Sequence, residues 1–175
     1  MLKITAIVIA VLIAAVLLFA ATRPDTFQVQ RTAAIQAPPD RIFPLINDFN
    51  RWGDWSPWEK KDPGMKRRFG TVTAGKGAVY AWDGNQDVGQ GSMEITESVA
   101  PSRLAIRLNF VKPFEAHNNV EFSLAPRGAA TQVTWTMHGP VPYISKIIHM
   151  FVDIDRMVGG DFEAGLASLK TMAEK

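Results

Sequence analysis

Hydrophobic residues follow three patterns along the chain: an unbroken N-terminal run, alternating stretches in the middle and helical spacing at the C-terminus. The first pattern covers 18 uncharged, mostly apolar residues from Ile4 to Ala21. As a helix rising ~1.5 Å per residue, it would span about 27 Å, which matches the hydrocarbon core of a bilayer. A cleaved signal peptide is the alternative, but Leu18 and Phe19 interrupt the small-x-small cleavage pattern near its end.

The chain therefore divides into residues 1–25, a transmembrane anchor or signal segment, and residues 26–175, a single domain. Lys3 before the apolar run favours a cytoplasmic N-terminus, although Arg23 on the far side weakens this bias. The sequence thus predicts a single-pass membrane protein whose C-terminal domain lies outside the cytoplasm.

Alternation of apolar and polar residues predicts an antiparallel sheet. Phe27 to Ile35 gives a first strand, short helices follow from Pro38, and a run of strands separated by turn residues begins at Met65. Asp83-Gly84 is a hairpin signal between two of these strands. One face of the strands is apolar and needs a cover. Its residues are Ala78, Tyr80, Trp82, Met93, Ile95, Leu104, Ile106, Leu108, Phe110, Val120, Phe122, Leu124, Val133, Trp135 and Met137.

The C-terminal stretch supplies this cover as one long predicted helix. Its apolar stripe consists of Ile144, Ile148, Phe151, Val158, Phe162, Leu166 and Leu169. At about 100° per residue, Asp155 falls in the middle of the stripe, where an unpaired carboxylate is costly. It therefore faces a solvated cavity mouth, bonds a backbone or tryptophan N–H, contacts a ligand, or takes part in catalysis. Gly159 and Gly160 predict a kink or a close backbone approach.

Three of the five tryptophans, Trp52, Trp55 and Trp58, lie within seven residues. Such a loop is a structural plug, the wall of an apolar cavity, or a surface for a protein or membrane. The interpretation we favour folds the loop over the open end of the sheet, where its rings are buried and narrow the cavity entrance.

Composition narrows the function. A formal charge of +2 gives no basic excess for nucleic acid, and the absence of cysteine excludes disulfides, thiolate zinc sites and a cysteine nucleophile. No catalytic sequence motif is present. The three histidines, His117, His138 and His149, fall on different predicted elements, so we expect no metal site and no cofactor.

The element order resembles the helix-grip fold of the SRPBCC superfamily, which includes birch-pollen-allergen-like proteins, START lipid-transfer domains and polyketide cyclases. Three stretches resemble bacterial members labelled polyketide cyclase/dehydrase or lipid transport: IQAPPDRIFPLINDFNRWGDWSPWEKKDP, GKGAVYAWDGNQDVGQGSMEI and MVGGDFEAGLASLK. The resemblance covers residues 27–175. It implies an α+β fold in which a curved antiparallel sheet wraps around the C-terminal helix, with a deep cavity between them for apolar or amphipathic molecules.

Together with the predicted faces, this resemblance gives a candidate cavity lining: Trp55, Trp58, Tyr80, Trp82, Ile106, Leu108, Phe122, Trp135, Met137, Phe151, Asp155 and Val158. The function expected first is binding or transport of a small hydrophobic ligand at a membrane reached through the N-terminal helix. An enzyme of cyclase or dehydratase type is the alternative, with Asp155 and Tyr80 as weak catalytic candidates. A third is a partner-binding module resembling activators of a heat-shock chaperone ATPase. No oligomeric state is predicted.

Overall fold

The computed structural model describes residues 2–175 and contains one antiparallel sheet with helices on its apolar side. The strands are β1 (Thr26–Ile35), β2 (Lys66–Phe69), β3 (Val79–Asp83), β4 (Gln90–Val99), β5 (Arg103–Lys112), β6 (Ala116–Arg127) and β7 (Ala130–Pro140). The helices are α1 (Leu2–Ala21), α2 (Pro39–Asn47), α3 (Trp52–Trp55), α4 (Pro57–Lys61), α5 (Tyr143–His149) and α6 (Ile154–Ala173). A 3₁₀ turn, Phe49–Arg51, joins α2 to α3.

The strands pair in the order β1-β7-β6-β5-β4-β3-β2. Consecutive strands from β2 to β7 are neighbours, which is the predicted meander, and β1 closes onto β7. The predicted α+β helix-grip architecture is confirmed. The hairpin signal at Asp83-Gly84 marks the correct place, but the turn is longer than two residues. Gly84 donates its N–H to the Gly89 carbonyl at 2.9 Å across a loop that ends at a left-handed Gly89, φ 65°.

The apolar face of the sheet and α6 form the core. Phe162, Leu166 and Leu169 of α6 are buried against the face predicted from alternation. The helix lies close to the sheet at Gly165, where a Cβ would lie 2.7 Å from Cζ3 of Trp135 and 3.2 Å from Cδ of Pro57. Only a glycine allows this spacing, because any side chain would push the helix away from the tryptophan.

The prediction of one continuous C-terminal helix is wrong before residue 154. The helix is divided into α5 and α6 by the segment Met150–Asp153, which we call the connector. Asp153 caps α6 by accepting the Arg156 N–H at 2.9 Å, and this starts a new helix instead of continuing α5. The first part of the predicted apolar stripe is consequently off the core: Ile144 is 71% and Phe151 78% exposed.

Helix α1 is long and apolar enough to cross a membrane, and most of its side chains are exposed. It packs against α5 where it ends. The Tyr143 hydroxyl donates a hydrogen bond to the Leu17 carbonyl, and the ammonium of the buried Lys146 pairs with Asp25. These contacts join the N-terminal helix to one end of the domain.

Two glycine substitutions in α6 test the close approach. Gly165→Ala should lower the free energy of unfolding by about 1–3 kcal/mol, because its methyl group would overpack against Trp135. Gly160→Ala, which meets no atom within 4 Å, should instead raise it by about 1 kcal/mol through helix propensity. Denaturant unfolding of the full chain in detergent, followed by near-ultraviolet circular dichroism, gives both values. Equal effects of the two substitutions would contradict the packing described.

Candidate ligand site between the sheet and α6

A cluster of aromatic rings fills the space between the sheet and α6. Trp135 of β7 is at its centre and stacks on Phe162 of α6, with ring centroids 4.1 Å apart and an interplanar angle of 8°. Phe122, Trp55 and Trp58 surround it with centroid distances to Trp135 of 4.7, 5.5 and 5.8 Å. The interior predicted to hold a ligand is thus lined by large, stiff aromatic side chains.

The tryptophan loop is part of this interior. Trp52 and Trp55 are buried and donate their indole N–H groups to the carbonyls of Ile46 and Leu45, at 3.0 and 2.9 Å. Trp58 is half-buried and meets Phe162 edge to face at 6.2 Å. The predicted burial of these rings is confirmed, and the carbonyls of α2 explain how the polar ends of two indoles are satisfied.

Trp135 differs from these two tryptophans. Its side chain is 2% exposed, and its indole N–H has no hydrogen-bond partner among residues 2–175. A buried donor without an acceptor costs about 1–3 kcal/mol. Such groups are rare in folded proteins and call for a physical reason.

Arg31 lies directly beside Trp135, because the two residues are paired in the register of β1 and β7. Its guanidinium binds both carboxylate oxygens of Asp155, at 3.0 and 2.9 Å, and donates through Nε to Glu163 at 2.7 Å. We call Arg31 with these two carboxylates the Arg31 clamp. A Cβ at Gly159 would collide with the guanidinium, so the predicted close approach at this glycine is confirmed. The clamp holds the first half of α6 against β1.

The hydrogen bonds of the clamp favour the charged forms of its members. Those from Arg31 lower the pKa of Asp155 below its usual value, and those to Asp155 and Glu163 raise the pKa of Arg31. The Asp155 side chain is 61% exposed, in the first turn of α6. Its predicted position in the middle of a buried stripe is therefore wrong. That position assumed a stripe that stays buried from Ile144 to Leu169, whereas the stripe is exposed at Ile144 and Phe151, and Asp155 lies next to this exposed end.

Tyr80 belongs to a separate polar cluster. Its hydroxyl donates to Glu59 of α4 at 2.6 Å, and Arg67 of β2 binds the other oxygen of that carboxylate at 2.6 Å. Burial first, and then the hydrogen bond to Glu59 and its charge, raise the pKa of Tyr80 well above its usual value. The hydroxyl therefore stays protonated and acts as a donor that ties the tryptophan loop to β3.

The two catalytic candidates do not share a site. Asp155 is bound to β1, whereas Tyr80 is on β3, and four strands lie between these two in the sheet. Among residues 2–175, no three His, Asp or Glu side chains come together in a group suited to a metal ion.

The remaining residues of the predicted lining are distributed unevenly. Those on the sheet are buried in the core: Trp82, Ile106, Leu108 and Met137. Val158 of α6 is half-buried and packs against that core. Phe151 is in the connector and points away from it, 78% exposed. The structure brings the sheet residues, Trp55, Trp58 and Val158 together and leaves Phe151 and Asp155 outside.

Two cavities lie where α5, the connector and the end of α1 meet. The larger, about 400 Å³, is lined by His149, the connector and Ile154, and we call it the connector cavity. The smaller, about 190 Å³, is lined by Arg23, Pro24, Thr26, Phe27, Val141, Lys146 and His149. His149 borders both cavities, and its partial burial lowers its pKa. The smaller cavity lies beside the end of the membrane-length helix, since Arg23 and Pro24 are part of its lining.

Sequence reasoning missed Arg31 and Glu59. For Arg31 a signal was present, because it alternates in phase with Val29 and Ala33 and so occupies the apolar face of its strand. A charged residue on that face requires a partner on the covering helix. Glu59 has no comparable signal, since its partners come from two strands further along the chain.

A comparison with protein families agrees with this architecture. The family model described as "Polyketide cyclase / dehydrase and lipid transport" matches residues 26–174. The chain belongs to this family. The match covers the whole domain that follows the N-terminal helix. A search of curated protein sequences finds no significant match.

Solved structures share the fold at low sequence identity. A Chromobacterium violaceum protein is 16% identical with a TM-score of 0.59, covering 87% of this chain and 99% of that one. DynU16, from a dynemicin biosynthetic locus, is 17% identical with a TM-score of 0.60, covering 87% and 48%. The Aha1 dimer of Colwellia psychrerythraea is 16% identical with a TM-score of 0.58, covering 85% and 96%. At these identities the similarity establishes the fold alone.

The Arg31 clamp gives a pH prediction. Because the pKa of Asp155 is lowered in the folded protein, its contribution to stability is present above the unfolded carboxyl pKa of about 3.9 and is lost as pH falls through the lower folded value. Asp155→Asn should be less stable than wild type at neutral pH and should converge with it once the pH is below the folded pKa of Asp155. Thermal unfolding of both proteins between neutral and acid pH tests this. A constant difference across the range would show that the carboxylate charge is not responsible.

Proposed function

We propose that the chain is a membrane-tethered module that holds a small hydrophobic molecule between the sheet and α6, and that this molecule carries a hydrogen-bond acceptor. The observation that carries the proposal is the buried indole N–H of Trp135, for which no described residue supplies an acceptor. A ligand carbonyl or carboxylate at this point would recover the lost hydrogen bond. The surrounding rings suit an apolar chain or ring system. Membership of a family described by lipid transport supports this ligand class.

The Arg31 clamp supports a way in for such a ligand. Residues directly opposite each other on antiparallel strands have Cβ atoms about 4.5–5.5 Å apart, so release of Arg31 would free α6 immediately beside Trp135. The connector precedes this part of α6, and the N–H groups of its first three residues bond to carbonyls at the end of α5, so α6 can tilt while α5 stays in position. The ligand then enters between Trp135 and Phe162, starting from the connector cavity.

The N-terminal helix supports entry from a membrane. In this proposal α1 is an uncleaved anchor, and the domain lies outside the cytoplasm because Lys3 favours a cytoplasmic N-terminus. Only residues 22–25 separate α1 from β1, which keeps the connector cavity close to the bilayer. A hydrophobic molecule dissolved in the leaflet would reach the domain without crossing bulk water, which would cost about 0.8 kcal/mol per exposed CH₂ group.

An enzyme acting through Asp155 and Tyr80 has less support. Asp155 is committed to Arg31 at the surface. Tyr80 is on a distant strand, where burial and the hydrogen bond to Glu59 of α4 keep its hydroxyl protonated. A partner-binding module rests only on similarity of fold. Neither alternative explains why a tryptophan N–H is buried without a partner.

Removal of this N–H tests the proposal. Full-length protein would be purified from a membrane-containing host in detergent and analysed by native mass spectrometry, with organic extraction to identify any bound molecule. We expect a stoichiometric hydrophobic molecule with an acceptor group on the wild type. In Trp135→Phe its affinity should fall roughly 3- to 10-fold, the equivalent of one neutral hydrogen bond.

Trp82→Phe is the matched control, because it also removes one indole from the apolar face. The Trp82 N–H donates to the Val88 carbonyl at 2.9 Å, near the β3–β4 turn, and is not available to a ligand. Ligand affinity should fall less in this variant than in Trp135→Phe, because no N–H available to a ligand is removed. Wild-type protein that carries no small molecule, or equal affinity in wild type and Trp135→Phe, would contradict the proposal.

A further inference from the structure

We propose that the end of the domain nearest α1 docks onto the bilayer, with α5, the connector and the β5–β6 turn inserted at the lipid surface. This inference rests on one part of the proposed function, the role of α1 as an anchor, and is independent of ligand binding. The occupant of the surface is the lipid leaflet into which α1 inserts.

Strand register determines which parts of the domain lie at this end. Strand β1 starts at Thr26, directly after α1, and Thr26 pairs with Pro140 at the end of β7. Strand β6 starts at the same end, since Asn119 pairs with His138. The β5–β6 turn, which follows Lys112, therefore lies at the end of the sheet where α1 emerges. The β4–β5 turn lies at the opposite end.

Two large apolar surfaces are exposed at the anchor end. The first is formed by Ile144, Ile148 and the connector, where Phe151 is 78% exposed. The second is the β5–β6 turn, where Phe114 is 72% exposed next to Val111. Apolar side chains grouped in this way mark interaction sites in proteins. Helix α5 with the connector and the β5–β6 turn, which are separate parts of the chain, thus both expose apolar residues at the end of the domain nearest α1.

Continuity with α1 identifies lipid as the partner. The Tyr143 hydroxyl of α5 donates a hydrogen bond to the Leu17 carbonyl of α1. Helix α5, with its exposed apolar side chains, therefore lies next to the end of the membrane-length helix. Buried Lys146 holds the opposite side of α5 through Asp25. A short helix in this position resembles interfacial helices, which bury an apolar face about 5–10 Å into the headgroup region. Arg23 and Lys112 lie beside these surfaces, where basic groups meet lipid phosphates.

Docking of these surfaces, in addition to insertion of α1, would fix the orientation of the domain relative to the membrane. Residues 22–25 and the contacts of α5 with the end of α1 hold the domain at one place only, about which it could still tilt, whereas two further apolar contacts with lipid at separate points would remove that freedom. The connector cavity would then face the leaflet continuously instead of occasionally.

The chain contains no cysteine, so single cysteines can be labelled without a background. Phe151→Cys, Phe114→Cys, Ile9→Cys and Val99→Cys would each carry an environment-sensitive fluorophore in the full-length protein. The proteins would be reconstituted into phosphatidylcholine vesicles with and without brominated acyl chains, which quench a fluorophore only on contact. Near-ultraviolet circular dichroism of each variant confirms that the aromatic cluster is intact.

Val99 is the matched control, because it is a 46% exposed apolar residue at the opposite end of the sheet. Ile9 lies in the middle of α1 and reports insertion of the anchor. We expect brominated lipid to quench the labels at 9, 151 and 114 and to leave the label at 99 unchanged. Quenching at 9 alone would overturn the docking while leaving the anchor in place. Loss of quenching at 9 would overturn the anchor, and the docking with it.

Discussion

The close approach of α6 to the sheet at Gly165 and Trp135 is the contact on which the rest of the domain depends. Among residues 2–175, no other helix of comparable length packs on the apolar face of the sheet. Stacking of Trp135 on Phe162 sets the distance between α6 and the sheet. The tryptophan loop then fills the space at the side, with its indoles anchored on α2 carbonyls. Close packing of large rings makes this interior stiff, so a change in one ring is transmitted to the others.

The region around this contact contains one buried polar group without a partner, the Trp135 N–H, and one set of partly exposed ion pairs between α6 and β1, the Arg31 clamp. Trp135 is at the centre of the aromatic cluster, but its N–H has no acceptor among residues 2–175, whereas the N–H groups of Trp52, Trp55 and Trp82 all have one. Immediately beside it, the Arg31 clamp is partly exposed to water, and ion pairs in such settings contribute little to stability. These partly exposed ion pairs therefore adjoin the buried N–H to which the proposed function assigns a ligand.

Much of the fold follows from local patterns in the sequence. Alternation identified the buried face of every central strand, since side chains on a strand point to opposite sides regardless of context. Helical spacing identified Phe162, Leu166 and Leu169 for the same reason. Spacing failed at Ile144 and Phe151, because an exposed apolar stripe has the same period as one that faces a core. The boundary between the exposed stripe of α5 and the buried stripe of α6 is the cap at Asp153, which depends on a single side chain.

The candidate site was less accessible to sequence reasoning. Trp135 could be assigned to the apolar face, but whether its N–H has a partner depends on which carbonyls the tryptophan loop brings near. The position of Asp155 depended on where α6 begins, and an error of a few residues turned an exposed partner of Arg31 into a buried carboxylate. Polar contacts between distant segments are set by the assembled fold, and no local pattern encodes them.

The most direct measurement is the NMR signal of the Trp135 indole N–H in full-length protein labelled with ¹⁵N-tryptophan, stripped of lipid by prolonged detergent exchange. Trp135→Phe identifies its signal among the five tryptophans. On addition of total lipid extract from the production host, the account predicts a downfield shift of this signal, as a new hydrogen bond forms, while the signals of Trp52 and Trp55 change little. A Trp135 signal that stays unchanged at saturating lipid would contradict it.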